Sequence, residues 1–400
     1  MRVLFSTLPS RGHFYPMVPL AWALRSGGHE VAVAATGAFS PAVAAAGLNP
    51  LGTVDDLDMR RLIGEDRQGR PVPDPQDTEG KLHRSGRGFG RASAAALPAM
   101  TELLTAYRPD LVVGEPTDFA GRLAAYAAGI PHMVHAWGLP VPRAMADGVV
   151  SELRPELSGL GLAEPPPPGL FVDVCPPSLR PGDGPASGAP SLAMRYTPFN
   201  GSGALPDWAL GPPATRPRVC VTFGTMIGGY PGAAQSIAAL ASVLIASGYE
   251  VVAAVGDDLA PQVRELVPQA RHVGWLPLHA VLPACDVLVH HGGSGSAMTA
   301  LCTGVPQVVT PYATDQFSNA GHVERAGAGL RIDRGGSGPE EVAEACTRVI
   351  ENPAFTRQSR ALQQEISLQP SPADVATNLA SALSRDLPPA PAAQPAANGL

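Results

Sequence analysis

Two histidines and a run of small residues follow an apolar segment in the C-terminal half of the chain, in the order His290-His291-Gly292-Gly293-Ser294-Gly295-Ser296. The apolar residues Val287 to Val289 predict a strand, and a helical pattern begins at Ala297. A helix that starts after a glycine-rich turn points unpaired backbone N–H groups at that turn, which suits a phosphate. The two histidines add hydrogen-bond donors without a permanent charge. We predict a nucleoside diphosphate site here, and not a Walker A loop, because no Gly-Lys-Ser/Thr ends the motif.

A carboxylate and an amide follow the next apolar run. Val305 to Val309 predicts another strand, and Asp315 and Gln316 begin the helical pattern after it. In an open α/β sheet the C-terminal ends of the strands face the ligand crevice. A carboxylate and an amide at that position can bind several neighbouring hydroxyl groups. The pair therefore predicts a sugar attached to the diphosphate.

A histidine in the N-terminal half is the candidate general base. His13 follows the first apolar strand and lies at the start of a helix, where the positive end of the helix macrodipole favours a neutral imidazole. A carboxylate that orients the ring makes such a base more effective. Glu115, which ends a strand, and Asp118, which starts the next helix, are both candidates for that carboxylate. Because helix capping alone explains Asp118, Glu115 is preferred.

These residues require alternating strands and helices to position them. In the first half, strands at 3–6, 31–35, 110–113 and 132–135 alternate with helices, which predicts a parallel sheet. The segments 55–91 and 137–195 are rich in Gly, Pro and polar residues and are expected to be surface loops. The alternation restarts at residue 218, with strands at 218–222, 250–255, 271–274, 286–290 and 305–310.

The resulting fold prediction is α/β, with two Rossmann-like βαβ domains that face each other across a cleft. The predicted boundaries are an N-terminal domain at 1–198, which binds the acceptor, and a linker at 199–217. A C-terminal domain at 218–385 binds the nucleotide sugar, and a disordered tail occupies 386–400.

Composition excludes several classes of protein. The chain has 400 residues, 45% of them hydrophobic, and a net charge of −7, so no basic surface is available for nucleic acid or an anionic membrane. The five cysteines are scattered, which indicates neither a disulfide framework nor a zinc site. No signal peptide or membrane-spanning run is recognised, so a cytoplasmic location is expected. The sequence leaves a homodimer open.

Together these residues resemble the family 1 glycosyltransferases of GT-B fold, and among them the actinomycete enzymes that attach deoxysugars to polyketide- or enediyne-type antibiotic aglycones. The resemblance spans residues 1–385 and is strongest in Gly274 to His279, in His290 to Ala300 and in Asp315 to Ala320; Gly12-His13-x-x-Pro16 is also typical. It implies inverting transfer from a nucleoside diphosphate sugar, with His13 as the base that deprotonates the acceptor hydroxyl. It also implies that the sugar nucleotide is a co-substrate, and that no cofactor and no metal are needed.

The resemblance also implies the donor contacts. Trp275 and Leu278 would bracket the nucleobase, and Asp315 and Gln316 would bind the sugar. The diphosphate would be held by Gly224, Thr225, His291, Gly293, Ser294, Gly295 and Ser296. Relatives that use UDP-sugars frequently carry a glutamate at the position of Thr299, where it binds the ribose hydroxyls. A carboxylate without a 2′-hydroxyl partner would be left unpaired, so Thr299 favours a dTDP-sugar.

Large apolar side chains in the predicted N-terminal loops are expected to bind a hydrophobic aglycone, because of their loop positions, although each such side chain taken alone is more often part of a core. They are Phe14, Tyr15, Met59, Phe89, Trp137 and Met145. Asp56-Leu57-Asp58 has the D-x-D spacing of metal-dependent transferases of another fold. It lies in a polar segment without a second ligand cluster, so we predict no metal site.

Two other functions are weighed. A nicotinamide-dependent oxidoreductase is disfavoured because the bulky Met298 replaces the third glycine of the dinucleotide motif. A non-catalytic activator of a partner transferase is disfavoured because His13, His291, Asp315 and Gln316 are all present. The aglycone, the sugar and the choice between O- and C-glycosylation remain open.

Overall fold

The computed structural model describes residues 1–180, 188–211, 214–224, 231–333 and 338–385. The chain forms two compact units. The first comprises Met1–Val174, Pro181–Met194 and Pro370–Leu400, and the second comprises Cys175–Arg180 and Arg195–Gln369. The segment predicted as a linker, 199–217, belongs to the second unit. The tail predicted to be disordered, 386–400, lies outside the described residues.

A seven-stranded parallel sheet forms the centre of the first unit, in the order β3-β2-β1-β4-β5-β6-β7. Its strands are β1 (Arg2–Ser6), β2 (Glu30–Ala35), β3 (Asn49–Gly52), β4 (Leu111–Gly114), β5 (His132–His135), β6 (Leu170–Asp173) and β7 (Ser191–Ala193). Helices cover both faces of a parallel sheet, which explains why β1 and β4 are continuous apolar runs. The strand order reverses between β1 and β4. Ligands bind at such a switch point, beyond the C-terminal ends of the strands.

The second unit repeats this arrangement with six parallel strands, in the order β10-β9-β8-β11-β12-β13. They are β8 (Arg218–Thr222), β9 (Glu250–Ala254), β10 (His272–Gly274), β11 (Val287–His290), β12 (Gln307–Val309) and β13 (Gly329–Arg331). The order now reverses between β8 and β11. The predicted phosphate-binding turn follows β11, at the switch point of this sheet.

Helices connect the strands in both units. Those of the first unit are α1 (Arg11–Phe14), α2 (Val18–Ser26), α3 (Ser40–Ala45), α4 (Met59–Gly64), α5 (Thr78–Tyr107), α6 (Phe119–Ala128), α7 (Arg143–Glu152), α8 (Arg154–Gly159) and α17 (Pro372–Arg385). Those of the second unit are α9 (Asp207–Leu210), α10 (Ala233–Ala246), α11 (Ala260–Leu266), α12 (Leu278–Val281), α13 (Ser294–Thr303), α14 (Gln316–Arg325), α15 (Pro339–Glu351) and α16 (Pro353–Ser367). No helix within the described part of the chain combines the length and the apolar composition needed to span a bilayer.

The helices α4 and α5 correct the prediction of a surface loop over 55–91, which is wrong for Met59–Gly64 and from Thr78 onward. Glycines suggested a loop, but here they are points of close helix packing. A methyl group on Gly86 would lie 2.0 Å from the carbonyl oxygen of Met145 in α7, and one on Gly88 would lie 2.4 Å from Cγ1 of Ile63 in α4. The glycines therefore allow α4 and α7 to pack directly against α5, at some cost in helix propensity.

The segment 137–195 also contains more regular structure than its Pro- and Gly-rich composition predicts. It supplies α7 and α8, and its strands β6 and β7 extend the first sheet beyond β5. Leu153 and Leu157 are buried against Phe119 and Leu123 of α6. The expectation of an irregular surface segment is therefore wrong for these elements.

Candidate active site

In the first unit, β1 and β4 bring His13 and Glu115 to the same end of the sheet. His13 lies in α1, which continues through a 3-10 turn at Tyr15–Met17 into α2. It therefore lies in the first turn of an almost continuous helical stretch. Glu115 directly follows β4, which pairs with β1 up to Ser6. The switch point of the sheet thus positions both side chains.

The imidazole of His13 is paired with the carboxylate of Glu115. Nδ1 of His13 lies 2.9 Å from Oε1 of Glu115. The Glu115 side chain is fully buried, whereas that of His13 is 14% exposed. When Nδ1–H donates to the carboxylate, the second ring nitrogen, Nε2, is left as a proton acceptor. Of the two carboxylates that the sequence left open, Glu115 is the one in contact with His13.

Thr117 is a neighbour of this pair that the sequence analysis missed. Its backbone N–H donates to Oε2 of Glu115 at 2.7 Å, and its Oγ1 lies 3.0 Å from both carboxylate oxygens. Oγ1 is also 3.3 Å from Nδ1 of His13. A hydroxyl two residues after the carboxylate was the available signal, because short polar side chains often bond locally in such turns.

Asp118 has a different role. It caps α6 by accepting from the N–H of Ala120 at 3.1 Å, and it accepts a hydrogen bond from the hydroxyl of Ser6. Burial, and then the charge of Glu115, raise the pKa of Asp118 to about 6. The alternative in which Asp118 orients His13 is therefore wrong, because the Asp118 carboxylate is hydrogen-bonded to α6 and to Ser6 of β1.

Two of the aromatic residues predicted to bind the acceptor surround His13. The ring centroid of Trp137 lies 4.4 Å from that of His13, with an interplanar angle of 70°, and Phe89 lies at 5.5 Å and 66°. Such edge-to-face contacts stabilise the orientation of the ring.

The other predicted acceptor residues are distributed differently. Phe14 and Met145 are each only 1% exposed, and Phe14 packs edge-to-face against Phe39. The prediction for these two is corrected, because in this structure they are core side chains. Tyr15 and Met59 are partly exposed.

In the second unit, His290 and His291 differ in role. Nε2 of His290 donates to Oε1 of Gln307 at 2.8 Å, and its Nδ1 accepts from the N–H of Gly292 at 3.1 Å. Burial lowers the pKa of His290 to about 3. Both nitrogens are occupied within the protein, Nε2 by Gln307 of β12 and Nδ1 by Gly292 of the turn, so the expectation that both histidines offer donors to the phosphate is wrong for His290.

His291 is held between two glycines. A methyl group on Gly224 would lie 2.7 Å from Cε1 of the His291 ring, and one on Gly293 would lie 2.5 Å from Nε2. Gly224 has a φ of 67°, in the left-handed region that favours glycine. Burial lowers the pKa of His291 to about 4, so the ring is neutral. Nδ1 is buried with no hydrogen-bond partner among the described residues. Thr225, also predicted here, lies outside them.

The turn that follows leads into α13, whose N-cap is Gly293. No side chain caps this helix. The first N–H groups of α13, among them those of Gly295 and Ser296, point out of the N-terminal end of the helix. Together with the helix macrodipole, this end of α13 suits an anionic ligand, as the sequence predicts.

Asp315 is fixed by the residues around it. Thr314 has a φ of 53°, which is unusual for a β-branched residue, and its hydroxyl donates to Oδ1 of Asp315 at 2.9 Å. The amide of Asn319 donates to Oδ2 of Asp315 and to the carbonyl oxygen of Gly292, both at 2.9 Å. Asn319 therefore links the predicted sugar and phosphate contacts. The sequence analysis did not assign it a role.

Gln316 uses its side-chain oxygen within the protein. Oε1 accepts from the N–H groups of Tyr312 at 2.8 Å and Ala313 at 3.0 Å. The NH2 group is then the end of the side chain that can donate to a ligand hydroxyl.

Near the predicted nucleobase contacts, the hydroxyl group of Thr299 both donates and accepts a hydrogen bond within the protein. Its hydroxyl donates to the carbonyl oxygen of Gly295 at 2.7 Å and accepts from the amide of Asn200 at 3.1 Å. Oδ1 of Asn200 accepts from the backbone N–H of His279 at 2.9 Å, in the helix that Leu278 begins. Trp275, which follows β10, is partly exposed. Asn200 lies in the predicted linker and was not expected at this site.

Metal ligands are not grouped together in the part of the chain that the structure describes. No group of three His, Cys, Asp or Glu side chains in that part of the chain could hold a metal ion. In the D-x-D segment, Asp58 caps α4 by accepting from the N–H groups of Arg60 at 3.0 Å and Arg61 at 3.1 Å.

Both halves of the chain match one protein family. The models of the erythromycin biosynthesis protein CIII-like N-terminal and C-terminal domains match residues 22–224 and 238–382. The L-demethylnoviosyl transferase of Streptomyces niveus is 40% identical over 382 residues, covering 95% of this chain and 98% of that protein.

Solved structures of glycosyltransferases are also similar to this chain. The glycosyltransferase SsfS6 of Streptomyces sp. SF2575, complexed with thymidine diphosphate, is 37% identical with a TM-score of 0.84, covering 95% of this chain and 99% of that one. The spinosyn rhamnosyltransferase SpnG, complexed with spinosyn aglycone, is 31% identical with a TM-score of 0.80, covering 95% and 100%. The chain therefore belongs to the erythromycin biosynthesis protein CIII-like family, and it is a family 1 hexosyltransferase of GT-B fold that acts in antibiotic biosynthesis.

Proposed function

We propose that this enzyme transfers a deoxyhexose from a dTDP-sugar to a hydroxyl group of a hydrophobic natural-product aglycone, with inversion at the anomeric carbon and His13 as the general base. The observation that carries the proposal is the 2.9 Å contact between Nδ1 of His13 and the buried carboxylate of Glu115. It leaves Nε2 to receive a proton, and it places a negative charge where the imidazolium forms.

The reaction is a single displacement. The acceptor O–H proton moves to Nε2 of His13, and the acceptor oxygen forms a bond to the anomeric carbon. The bond between that carbon and the β-phosphate oxygen breaks, and its electron pair leaves with dTDP. Because the nucleophile and the leaving group occupy opposite faces of the carbon, the configuration inverts.

The second unit is proposed to hold the donor without a metal. The N–H groups at the start of α13 and the neutral ring of His291 donate to the diphosphate, whose charge grows as the sugar bond breaks. Asp315 and the NH2 group of Gln316 bind sugar hydroxyls. Such fixed donors stabilise the leaving group without first reorganising.

A thymidine rather than a uridine nucleotide is supported by Thr299. Its hydroxyl already donates to Gly295 and accepts from Asn200, so it offers little to a ribose 2′-hydroxyl. A ribose 2′-hydroxyl buried here without a hydrogen-bond partner would be unfavourable. The relative SsfS6 binds thymidine diphosphate, which agrees with the assignment.

A hydrophobic acceptor is supported by the aromatic rings beside the base. Trp137 and Phe89 contact His13, so a flat apolar molecule that reaches the imidazole would meet aromatic edges. The relative SpnG binds a spinosyn aglycone. Among the predicted acceptor residues, Phe89, Tyr15 and Met59 keep partly exposed surface, whereas Trp137 is only 5% exposed.

The test is transfer by the purified protein. dTDP- and UDP-hexoses are offered with a panel of polyketide aglycones, and products are identified by a mass gain of one hexose and by the anomeric proton coupling. We expect transfer from dTDP-sugars with inverted configuration. His13→Ala should lose about 10²- to 10⁴-fold in kcat, the usual contribution of a general base. His29→Ala, a partly exposed histidine of the same unit, is the control. Undiminished transfer by His13→Ala would contradict the assignment of the base.

A further inference from the structure

We propose that Thr117 is a positioning residue that fixes the carboxylate of Glu115 against His13. The inference rests on the proposed function, because it concerns the residue that orients the general base. Thr117 does not contact substrate in this scheme and acts through Glu115.

A glutamate needs such support more than a shorter acid would. Its carboxylate is carried on one more rotatable bond than that of an aspartate, so ordering a glutamate side chain costs more conformational entropy. A buried carboxylate must also keep its charge compensated by hydrogen bonds. Glu115 is buried and sits at the end of β4, so local donors have to select one rotamer.

Thr117 provides two of the donors, and they bind both carboxylate oxygens. The backbone N–H lies 2.7 Å from Oε2, and the hydroxyl oxygen lies 3.0 Å from Oε1 and from Oε2. With Nδ1–H of His13 on Oε1, the carboxylate accepts three donors. The 3.3 Å separation between Oγ1 and Nδ1 places the hydroxyl beside the same contact.

The position of Thr117 is itself fixed. Thr117 is 1% exposed, and β-branched side chains have few rotamers. The turn is closed by a hydrogen bond from the N–H of Asp118 to the carbonyl oxygen of Glu115 at 3.2 Å. Ser93 of α5 accepts from the N–H of Phe119 at 3.1 Å, which ties the turn to the long helix. The hydroxyl therefore meets the carboxylate in a preset geometry, which is what orienting a catalytic base requires.

The test compares side chains that differ in the hydroxyl alone. Thr117→Val keeps the shape and the backbone N–H but removes the O–H donor, and Thr117→Ser restores that donor. We expect Thr117→Val to lower kcat roughly 10- to 100-fold, as expected for a hydrogen bond to a charged group. The KM for the dTDP-sugar should not change, and Thr117→Ser should recover most of kcat.

A double-mutant cycle separates positioning from a general structural effect. In the Glu115→Gln background, Thr117→Val should cost less than about 2-fold, because the charge that it orients is gone. An equal loss in both backgrounds would overturn the proposal. Should Thr117→Val not fold, Thr117→Cys, a weak donor of similar size to serine, is compared with Thr117→Ser. Equal kcat values for those two variants would also overturn it.

The outcome distinguishes this proposal from the proposed function. If His13→Ala and Glu115→Gln lose activity while Thr117→Val retains the parental kcat, Thr117 is not a positioning residue and His13 remains the base. If His13→Ala retains activity, the proposed function itself fails.

Discussion

Replacing Gly293 by alanine is expected to displace His291 and to weaken binding of the donor nucleotide. The backbone at Gly293 has φ −60° and ψ 136°, which any residue adopts without strain. The effect of the substitution is therefore confined to the added methyl group. It tests whether the ring of His291 must lie where the structure has it.

The size of the effect follows from the contact distances. The methyl carbon would lie 2.5 Å from Nε2 and 2.9 Å from Cε1 of His291. Favourable contacts between heavy atoms begin at about 3.5 Å, so the ring must move by about 1 Å. The backbone of Gly224 lies against the same ring, which limits where it can go. A misplacement of this size in a substrate-positioning group costs on the order of 10²-fold in kcat/KM. The strain should also reduce the free energy of unfolding by about 1–3 kcal/mol.

The assay measures the affinity for thymidine diphosphate by calorimetry, together with kcat/KM and the Tm of the ligand-free protein. Gly295→Ala is the matched control for the Tm alone, because its methyl group would have Oη of Tyr196 as its nearest neighbour, at 3.8 Å. Gly295→Ala should leave the Tm unchanged or higher, since alanine favours a helix over glycine. Gly293→Ala should lower both the Tm and the affinity.

Equal Tm values and equal nucleotide affinities for Gly293→Ala and the parent protein would contradict the predicted displacement of His291. That result would mean that His291 is not confined by the turn, or that its ring has no part in holding the diphosphate. A lower Tm with unchanged affinity would keep the steric argument and reject the role of the ring in binding.

Three further predictions concern stability. Burial raises the pKa of the Asp118 carboxyl group to about 6, against 3.8 in an unfolded chain, so the folded state favours the protonated carboxyl. This contribution to the free energy of unfolding is fully present below pH 3.8 and is lost as the pH rises through 6. Asp118→Asn should therefore gain on the order of 3 kcal/mol relative to the parent between pH 4 and pH 8 in urea titrations, and a constant difference would contradict this. Burial lowers the pKa of His132 and His290 to about 3, against 6.5 in an unfolded chain, so the folded state favours the neutral imidazoles. Their contribution to the free energy of unfolding is fully present above pH 6.5 and is lost as the pH falls towards 3. Tm should fall between pH 7 and pH 5, and a flat profile is the contrary result. Gly148→Ala should lower the Tm strongly because its methyl group would lie 2.2 Å from the carbonyl oxygen of His83, whereas Gly159→Ala, with no heavy atom within 4 Å, should not; equal Tm values would contradict the α5–α7 contact.

The sequence predicted those features of the site that depend on the ends of strands. The turn from His290 to Ser296 and the position of His13 follow from an apolar run, a break and a helix start, and these are local signals. The sequence favoured Glu115 over Asp118 as the partner of His13, because Asp118 suits a helix cap, but both carboxylates follow β4, and only the structure shows the 2.9 Å contact of Glu115 and the cap at Asp118.

The sequence did not predict residues whose contacts lie far away along the chain. Asn319 donates to a backbone oxygen 27 positions away along the chain, and Asn200 donates to Thr299, which is 99 positions away. No local sequence pattern predicts either hydrogen bond. The two adjacent histidines could not be told apart, because their difference lies in Gln307, which only strand pairing brings to His290. The start of α5 was missed for a related reason, since glycine composition does not distinguish a loop from a close helix contact.

The same stretch of α5 has a consequence for how acceptor preference can change. Phe89, whose ring touches His13, sits between Gly88 and Gly90, and these two residues rest on Ile63 of α4 and Glu152 of α7. Substitutions at Ile63 or Glu152 would change the packing of the α5 segment that carries Phe89 without altering any ring that contacts His13. A collection of variants aimed at new aglycones could therefore begin with the buried residues that pack against α5 beside Phe89, the ring that contacts His13.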